Sequence, residues 1–229
     1  MRGADVGRIV GSVGERLLQA AYGCDGRARR FYDTQLIHYL NADMRQFIGR
    51  QEMMFVATAD GAGNCDATFR AGPPGFVAVL NEGQVAWPDY RGNGVMASLG
   101  NISENGHAGL LFIDFFRDLV GLHVNGRAAI VEDTVMRGAH PHLPVETVKG
   151  RRAERWVRID VDEAYIHCRK HIPLMTRVPR DRDWGTDSVR RKGGDFFNVG
   201  RAAGRAYEPP EPADPPPVTP ARRRWWHRR

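Results

Sequence analysis

The feature that most constrains this chain is a succession of short β-type runs broken by tight-turn chemistry. Met53-Met-Phe-Val-Ala-Thr58, Asp66-Ala-Thr-Phe69, Phe76-Val-Ala-Val-Leu80 and Gln84-Val-Ala-Trp87 are separated by Asp60-Gly-Ala-Gly-Asn64, Gly72-Pro-Pro-Gly75 and Asn81-Glu-Gly83. Gly and Asn accept positive φ and Pro presets its own, so each break reverses the chain within a few residues and the flanking strands pair antiparallel. Further strands are expected at 108–114, 119–132 and 155–168, with one helix before them at 95–105. This spacing predicts a mainly β (α+β) fold built on an antiparallel barrel. It disfavours a doubly wound parallel sheet, in which a helix follows nearly every strand.

Residues 1–50 read instead as a helical extension. Residues 15–22 and 34–48 place apolar side chains three and four apart, with Asp33-Thr34 as N-cap and Gly49 as stop for the second helix. The barrel is expected over 51–180, a polar arginine-rich segment over 181–207, and a tail over 208–229. That tail is a polyproline-type linker, expected to be disordered, ending in Arg222-Arg-Arg-Trp-Trp-His-Arg-Arg229. The chain holds 33 Lys+Arg against 27 Asp+Glu, a formal charge of +6, and +2 of this lies in the tail. The body is therefore only mildly basic and lacks the even cationic face that neutralises a phosphate backbone, so no nucleic-acid partner is expected. The Arg/Trp tail reads as a solvated charge run or as a weak contact for an anionic membrane surface or an acidic partner. Three cysteines in unrelated contexts, no signal-peptide pattern and no apolar run of about 18 residues lead to the expectation of a cytoplasmic protein with reduced thiols.

The densest chemistry lies between Trp87 and Asn101. Gly92-x-Gly94-x-x-Ala97, with Asp114 downstream, formally matches a dinucleotide fingerprint. That motif needs a βαβ unit, whereas the flanking runs read as antiparallel ribbons and Pro88-Asp89 is expected to end its strand. What remains is local physics. Gly92, Asn93 and Gly94 let backbone amides point outward where a helix begins, which suits phosphate, and Arg91 adds a charge; the same residues also read as an ordinary tight turn. Upstream, Arg70 closes a strand before the rigid Gly72-Pro-Pro-Gly75 turn, which suits a guanidinium held for bidentate phosphate binding.

Taken together, these pieces resemble the pyridoxamine 5'-phosphate oxidase-like, FMN-binding split-barrel family. The resemblance runs from about Arg50 to Lys170 through Phe55-Val-Ala-Thr-Ala-Asp60, Phe69-Arg-Ala-Gly-Pro-Pro-Gly-Phe-Val77, Pro88-Asp-Tyr-Arg-Gly-Asn-Gly94, Ser98-Leu-Gly-Asn-Ile102, Gly109-Leu-Leu-Phe-Ile113, Val124-Asn-Gly-Arg-Ala128 and His167-Cys-Arg-Lys170. It implies a six-stranded antiparallel split β-barrel with flanking helices, a homodimer, and FMN at the subunit interface. The activity implied is hydride transfer through flavin N5 on a small-molecule substrate. A non-catalytic flavin- or haem-binding sensor or carrier is the alternative, and some relatives bind a deazaflavin or haem in place of FMN.

Carried over by position, Phe76, Val77, Pro88, Asp89, Tyr90, Gly92 and Asn93 become flavin contacts, and Arg70, Ser98 and Lys170 polar anchors. Asn93-Gly94-Val95 stands where the pyridoxine-synthesis enzymes carry Ser-Arg-Lys, which leaves Arg70, Arg91 and Lys170 to supply the phosphate's cations. Strand alternation puts Gly121, His123 and Asn125 on one face, with Leu122 and Val124 on the other. The resemblance makes the Gly121 face the flavin side, with His123 as a donor to the ring's N1/O2 edge. Gly121 itself replaces a flavin-bonding glutamine of the synthesis enzymes, a second departure from their reaction. Neither His167-Cys-Arg-Lys-His171 nor His140-Pro-His142 has the paired spacing of a zinc site, so no metal is expected. No residue is identified as catalytic.

Overall fold

The structure, a computed structural model, describes residues 10–148, 150–179, 182–189 and 191–204. They belong to two units, Met1–Asp181 and Arg182–Arg229. The expected tail at 208–229 lies outside the described residues.

The first unit runs α1 (Val13–Ala21), α2 (Asp25–Gln35), β1 (Leu36–Ile37), α3 (Ala42–Gly49), β2 (Met53–Ala59), β3 (Cys65–Ala71), β4 (Ala78–Asn81) and β5 (Gln84–Tyr90). It continues with α4 (Ala97–Glu104), β6 (His107–Ile113), β7 (Gly121–Glu132), α5 (Asp133–Ala139), β8 (Ala153–His167) and a 3-10 turn, Arg169–His171. The strands form one sheet in the order β3-β2-β6-β7-β8-β5-β4, with β1 beside β8, and every pairing is antiparallel. Its edges, β3 and β4, do not pair with each other, so the barrel is split. Six strands have at least seven residues, as expected of this fold, and the two-residue β1 and four-residue β4 are short additions.

Side-chain alternation makes the core. Met54, Val56 and Thr58 of β2 point inward beside Leu110 and Phe112 of β6, Leu122 and Val124 of β7, and Val157 and Ile159 of β8. Burying each large apolar side chain contributes about 1.5–3 kcal/mol. The turn chemistry acts as the residues dictate. Asp60 accepts from the amides of Ala62 and Asn64 to close the β2–β3 hairpin, and Phe76 N–H bonds Pro73 C=O across a turn with Gly75 at φ +83°. Where β8 crosses β7 the register shifts after Asn125, and a Cβ on Gly126 would stand 2.2 Å from the Asp160 carbonyl, so only glycine fits.

Two expectations are corrected. The helix expected at 34–48 is interrupted: α2 ends at Gln35, Leu36 and Ile37 extend to pair with Tyr165 and Ala164, and α3 begins only at Ala42, where Asn41, not Asp33-Thr34, is the cap and accepts from Met44 N–H. Sheet pairing overrides local periodicity there. Pro88-Asp89 does not end its strand, which runs to Tyr90. β4 pairs only as far along β5 as Ala86, so Pro88 lies on a free edge where its missing N–H costs no ladder bond.

A smaller cluster, with Met136, Leu143 and Trp156, packs α5 on the outer side of the first half of β8. Trp156 Nε1 donates to Asp133, which also pairs with Arg137. In the second unit α6 (Val199–Ala202) starts at Asn198, and the Asp195 carboxylate accepts from the amides of Val199 and Gly200.

Candidate functional site

β8 carries polar clusters on both of its halves. On the first half, Arg70 of β3, Asp89 of β5 and Arg155 of β8 share the alternation of the core residues and face the interior. Arg70 Nη1 lies 3.3 Å from Asp89 Oδ1, and Arg155 Nη1 lies 3.4 Å from Oδ2. Two guanidiniums thus share one buried carboxylate, and Arg70 spans the split that backbone pairing leaves open. Burial raises the Asp89 carboxyl above its usual value, while Arg70 and Arg155 draw it down. Arg70 Nε is buried with no hydrogen-bond partner among the described residues, an unused donor of the kind a bound anion satisfies.

From Asp89 the chain passes Tyr90, whose phenol is held above its ordinary value first by burial, and enters an exposed loop of Arg91, Gly92, Asn93 and Gly94. Gly94 at φ +83° and Met96 at φ +56° bend the backbone into α4. These bends place the start of α4 at Ala97, two residues after the expected Val95. Ser98 is buried in its first turn, its Oγ 3.5 Å from Asp66 Oδ2. Asp66 and Arg70 are four residues apart on β3, about 13 Å, so Ser98 and Arg70 do not converge on one point. Phe76 and Val77 precede β4 and lie in the core at 5% and 1% exposure, so their side chains are committed to packing.

On the second half of β8, His123 lies on the outer face with Asn125, as alternation predicts, while Leu122 and Val124 enter the core. Its ring stacks on Tyr165 at 4.6 Å between centroids and 17° between planes, and its Nε2 is 3.0 Å from His167 Nδ1. One of these nitrogens donates and the other accepts, so both rings cannot be imidazolium while the bond persists. Burial, and then the His167 charge, push the His123 pKa down. Lys170 is exposed in the 3-10 turn that follows, its N–H donating to Cys168 Sγ. His123 also belongs to an in-register row on the outer face, Phe69–Phe55–Leu111–His123–Tyr165. At its open end Phe55 and Phe69 are 39% and 54% exposed.

The anticipated residues therefore divide. Arg70 and Asp89 touch, Pro88 and Tyr90 to Asn93 continue from Asp89, and His123 stands with His167 near Lys170. Arg155 and His167 are about 40 Å apart measured along the strand. Arg155 and Tyr165 were not anticipated, because their roles depend on the β5–β8 and β7–β8 registers. Among the described residues no three metal-ligating side chains converge, and no helix is long and apolar enough to cross a membrane.

An open, wholly antiparallel sheet with flanking helices is a split barrel. Residues 40–168 match the pyridoxamine 5'-phosphate oxidase family, and the chain belongs to it. No curated protein matches the chain. Among solved structures it is similar to an FMN-binding protein from Syntrophomonas wolfei (11% identity, 68% of this chain and 97% of that one, TM-score 0.40). It is also similar to HutZ, the haem storage protein of Vibrio cholerae (12%, 56% and 94%, TM-score 0.38), and to HupZ of Group A Streptococcus (18%, 56% and 93%, TM-score 0.40).

Proposed function

We propose that this protein is an FMN-dependent oxidoreductase of the pyridoxamine-phosphate-oxidase-like type, acting on a small molecule as a homodimer with the cofactor at the interface. The observation that carries the reading is the Arg70–Asp89–Arg155 cluster: two arginines on the buried Asp89, Arg155 also reaching Glu154, with a buried donor on Arg70 that no described residue uses. This fits a phosphate. Arg70 would hold the phosphate oxygens, with Arg91 and the amides of Gly92 and Asn93 beside it. The chemistry FMN supplies when bound is two-electron hydride exchange at N5. On the other half of β8, His123 would donate toward the ring's N1/O2 edge while His167 and Tyr165 hold its orientation. Because Arg70 faces the barrel interior and His123 the outer face, a site using both clusters is best completed by a second chain, and the exposed Phe55–Phe69 end of the outer row suits such an interface.

A second reading is a flavin- or haem-binding sensor or carrier without turnover. Asn93-Gly94-Val95 provides no cation at positions where the synthesis enzymes have two, and outward-facing imidazoles such as His123 and His167 are also haem-ligand chemistry. The absorption spectrum of the purified protein separates oxidised flavin, deazaflavin and haem. Anaerobic mixing of the flavin-loaded protein with NADH, NADPH or reduced deazaflavin then tests turnover, and reduction by none of them favours the carrier. Arg70→Ala is expected to weaken FMN binding by about 2–4 kcal/mol. Unchanged affinity in a fluorescence titration rejects this anchor.

A further inference from the structure

Outside the family-matched residues, the α1–α2 hairpin leans over the second half of β8 and leaves a pocket of about 280 Å³ between them. We propose that this pocket binds a small organic cation, an alkylammonium group with a short apolar body. The inference does not depend on the flavin reading.

Three rings and two carboxylates line it: Phe31, Tyr32 and Tyr165 with Glu15 and Glu163. Phe31 meets Tyr32 and Tyr165 edge-on, at 6.1 and 5.8 Å between centroids. The donors that reach the carboxylates are neutral. Glu15 accepts from Ser12 N–H and Tyr32 O–H, and Glu163 accepts from Asn125 Nδ2. Neither forms an ion pair among the described residues, and Arg16, beside the pocket, donates to the Gly11 carbonyl instead. The Tyr32 phenol is held above its ordinary value first by burial and then, against a hydrogen bond from Gln19, by Glu15 and Glu163.

Two negative charges, neither paired with a cationic side chain among the described residues, disfavour an anionic ligand, although Glu15 also caps the exposed N-terminus of α1. The aromatic walls offer too few oxygens for a hard metal ion, which seeks six or more. What suits both features is a cation that tolerates partial desolvation and gains from π faces as well as carboxylates. At about 30 Å³ per water, the pocket holds roughly nine water volumes, enough for a compact ammonium head with a short chain.

The test is calorimetric titration of the full chain at low ionic strength with choline, and with 3,3-dimethylbutan-1-ol, its uncharged isostere. Expected are saturable choline binding and an isostere at least tenfold weaker. Glu163→Gln, which keeps an acceptor for Asn125 and removes only the charge, should weaken choline at least tenfold. Glu15→Gln is the second variant should the first misfold. Absence of saturable binding, equal affinity for the isostere, or an unaffected charge-neutral folded variant each overturns the proposal. Titrating FMN into the same variants keeps the two sites distinct: this pocket can fail with FMN affinity intact, and the reverse.

Discussion

On the first half of β8, Arg155 meets a carboxylate that β5 has carried inside the barrel. On the second half, Tyr165 and His167 meet a histidine that β7 holds on the outside. The inner cluster is charged, bridges strands that backbone pairing leaves unjoined, and keeps one donor unused. The outer one pairs neutral or singly charged rings whose mutual contacts are complete. The contrast separates two ways of being polar in a small barrel: a buried charge must be matched group for group, whereas a ring can rest its faces on neighbours and keep one nitrogen for exchange.

The largest effect that would break this comparison is expected at Asp89. Asp89→Leu leaves the Arg70 and Arg155 guanidiniums facing each other with no anion between them. Complete burial would put the cost of losing such a partner at about 3–5 kcal/mol. With 28% and 23% of the two arginine side chains exposed, water recovers part of it, and about 2–4 kcal/mol is expected from urea unfolding. A loss below about 1 kcal/mol would mean that the carboxylate is not what holds the split together.

The outer cluster should give a smaller change. Tyr165→Leu keeps apolar bulk and removes two ring contacts, one with His123 and one with Phe31. About 1–2 kcal/mol is expected, since an aromatic pair contributes roughly 0.5–1.5 kcal/mol beyond its buried area. A cost equal to that of Asp89→Leu would erase the distinction between the clusters.

How far each cluster was legible from sequence follows from how local its causes are. The strands, their turns and the outward face of His123 rest on alternation and on Gly, Pro and Asn chemistry, all within a few residues, and these readings agree with the structure. Family resemblance supplied the barrel's closure pattern, which alternation alone does not. What escaped depended on register between distant segments: Arg155 reaches Asp89 across 66 positions, and His167 reaches His123 across 44. The same holds for β1, where a helix-like period yields to pairing with Tyr165, and for Pro88, whose tolerance rests on β4 being short. The resemblance places Phe76 and Val77 beside a cofactor by position in a motif; the structure packs their side chains into the core, which leaves their backbone for such a contact.

The subtlest expected difference is one of sign. Asp89 is raised by burial, so the folded state holds its proton more tightly than the unfolded chain, and its contribution is present in acid and lost as pH rises through the folded value. His123 is lowered by burial and by His167, so its contribution is present above the unfolded value of about 6.5 and lost as pH falls through the folded one. Measuring unfolding free energy against pH for wild type, Asp89→Asn and His123→Gln isolates each term by difference. The advantage of wild type over His123→Gln should shrink as pH falls below neutrality, and its standing against Asp89→Asn should fall as pH rises from the acid side. Parallel curves in the first pair would show that His123 titrates alike folded and unfolded, leaving its stack with Tyr165 as its whole contribution. Slopes of the same sign in both pairs would remove the electrostatic difference between the inside and the outside of the barrel.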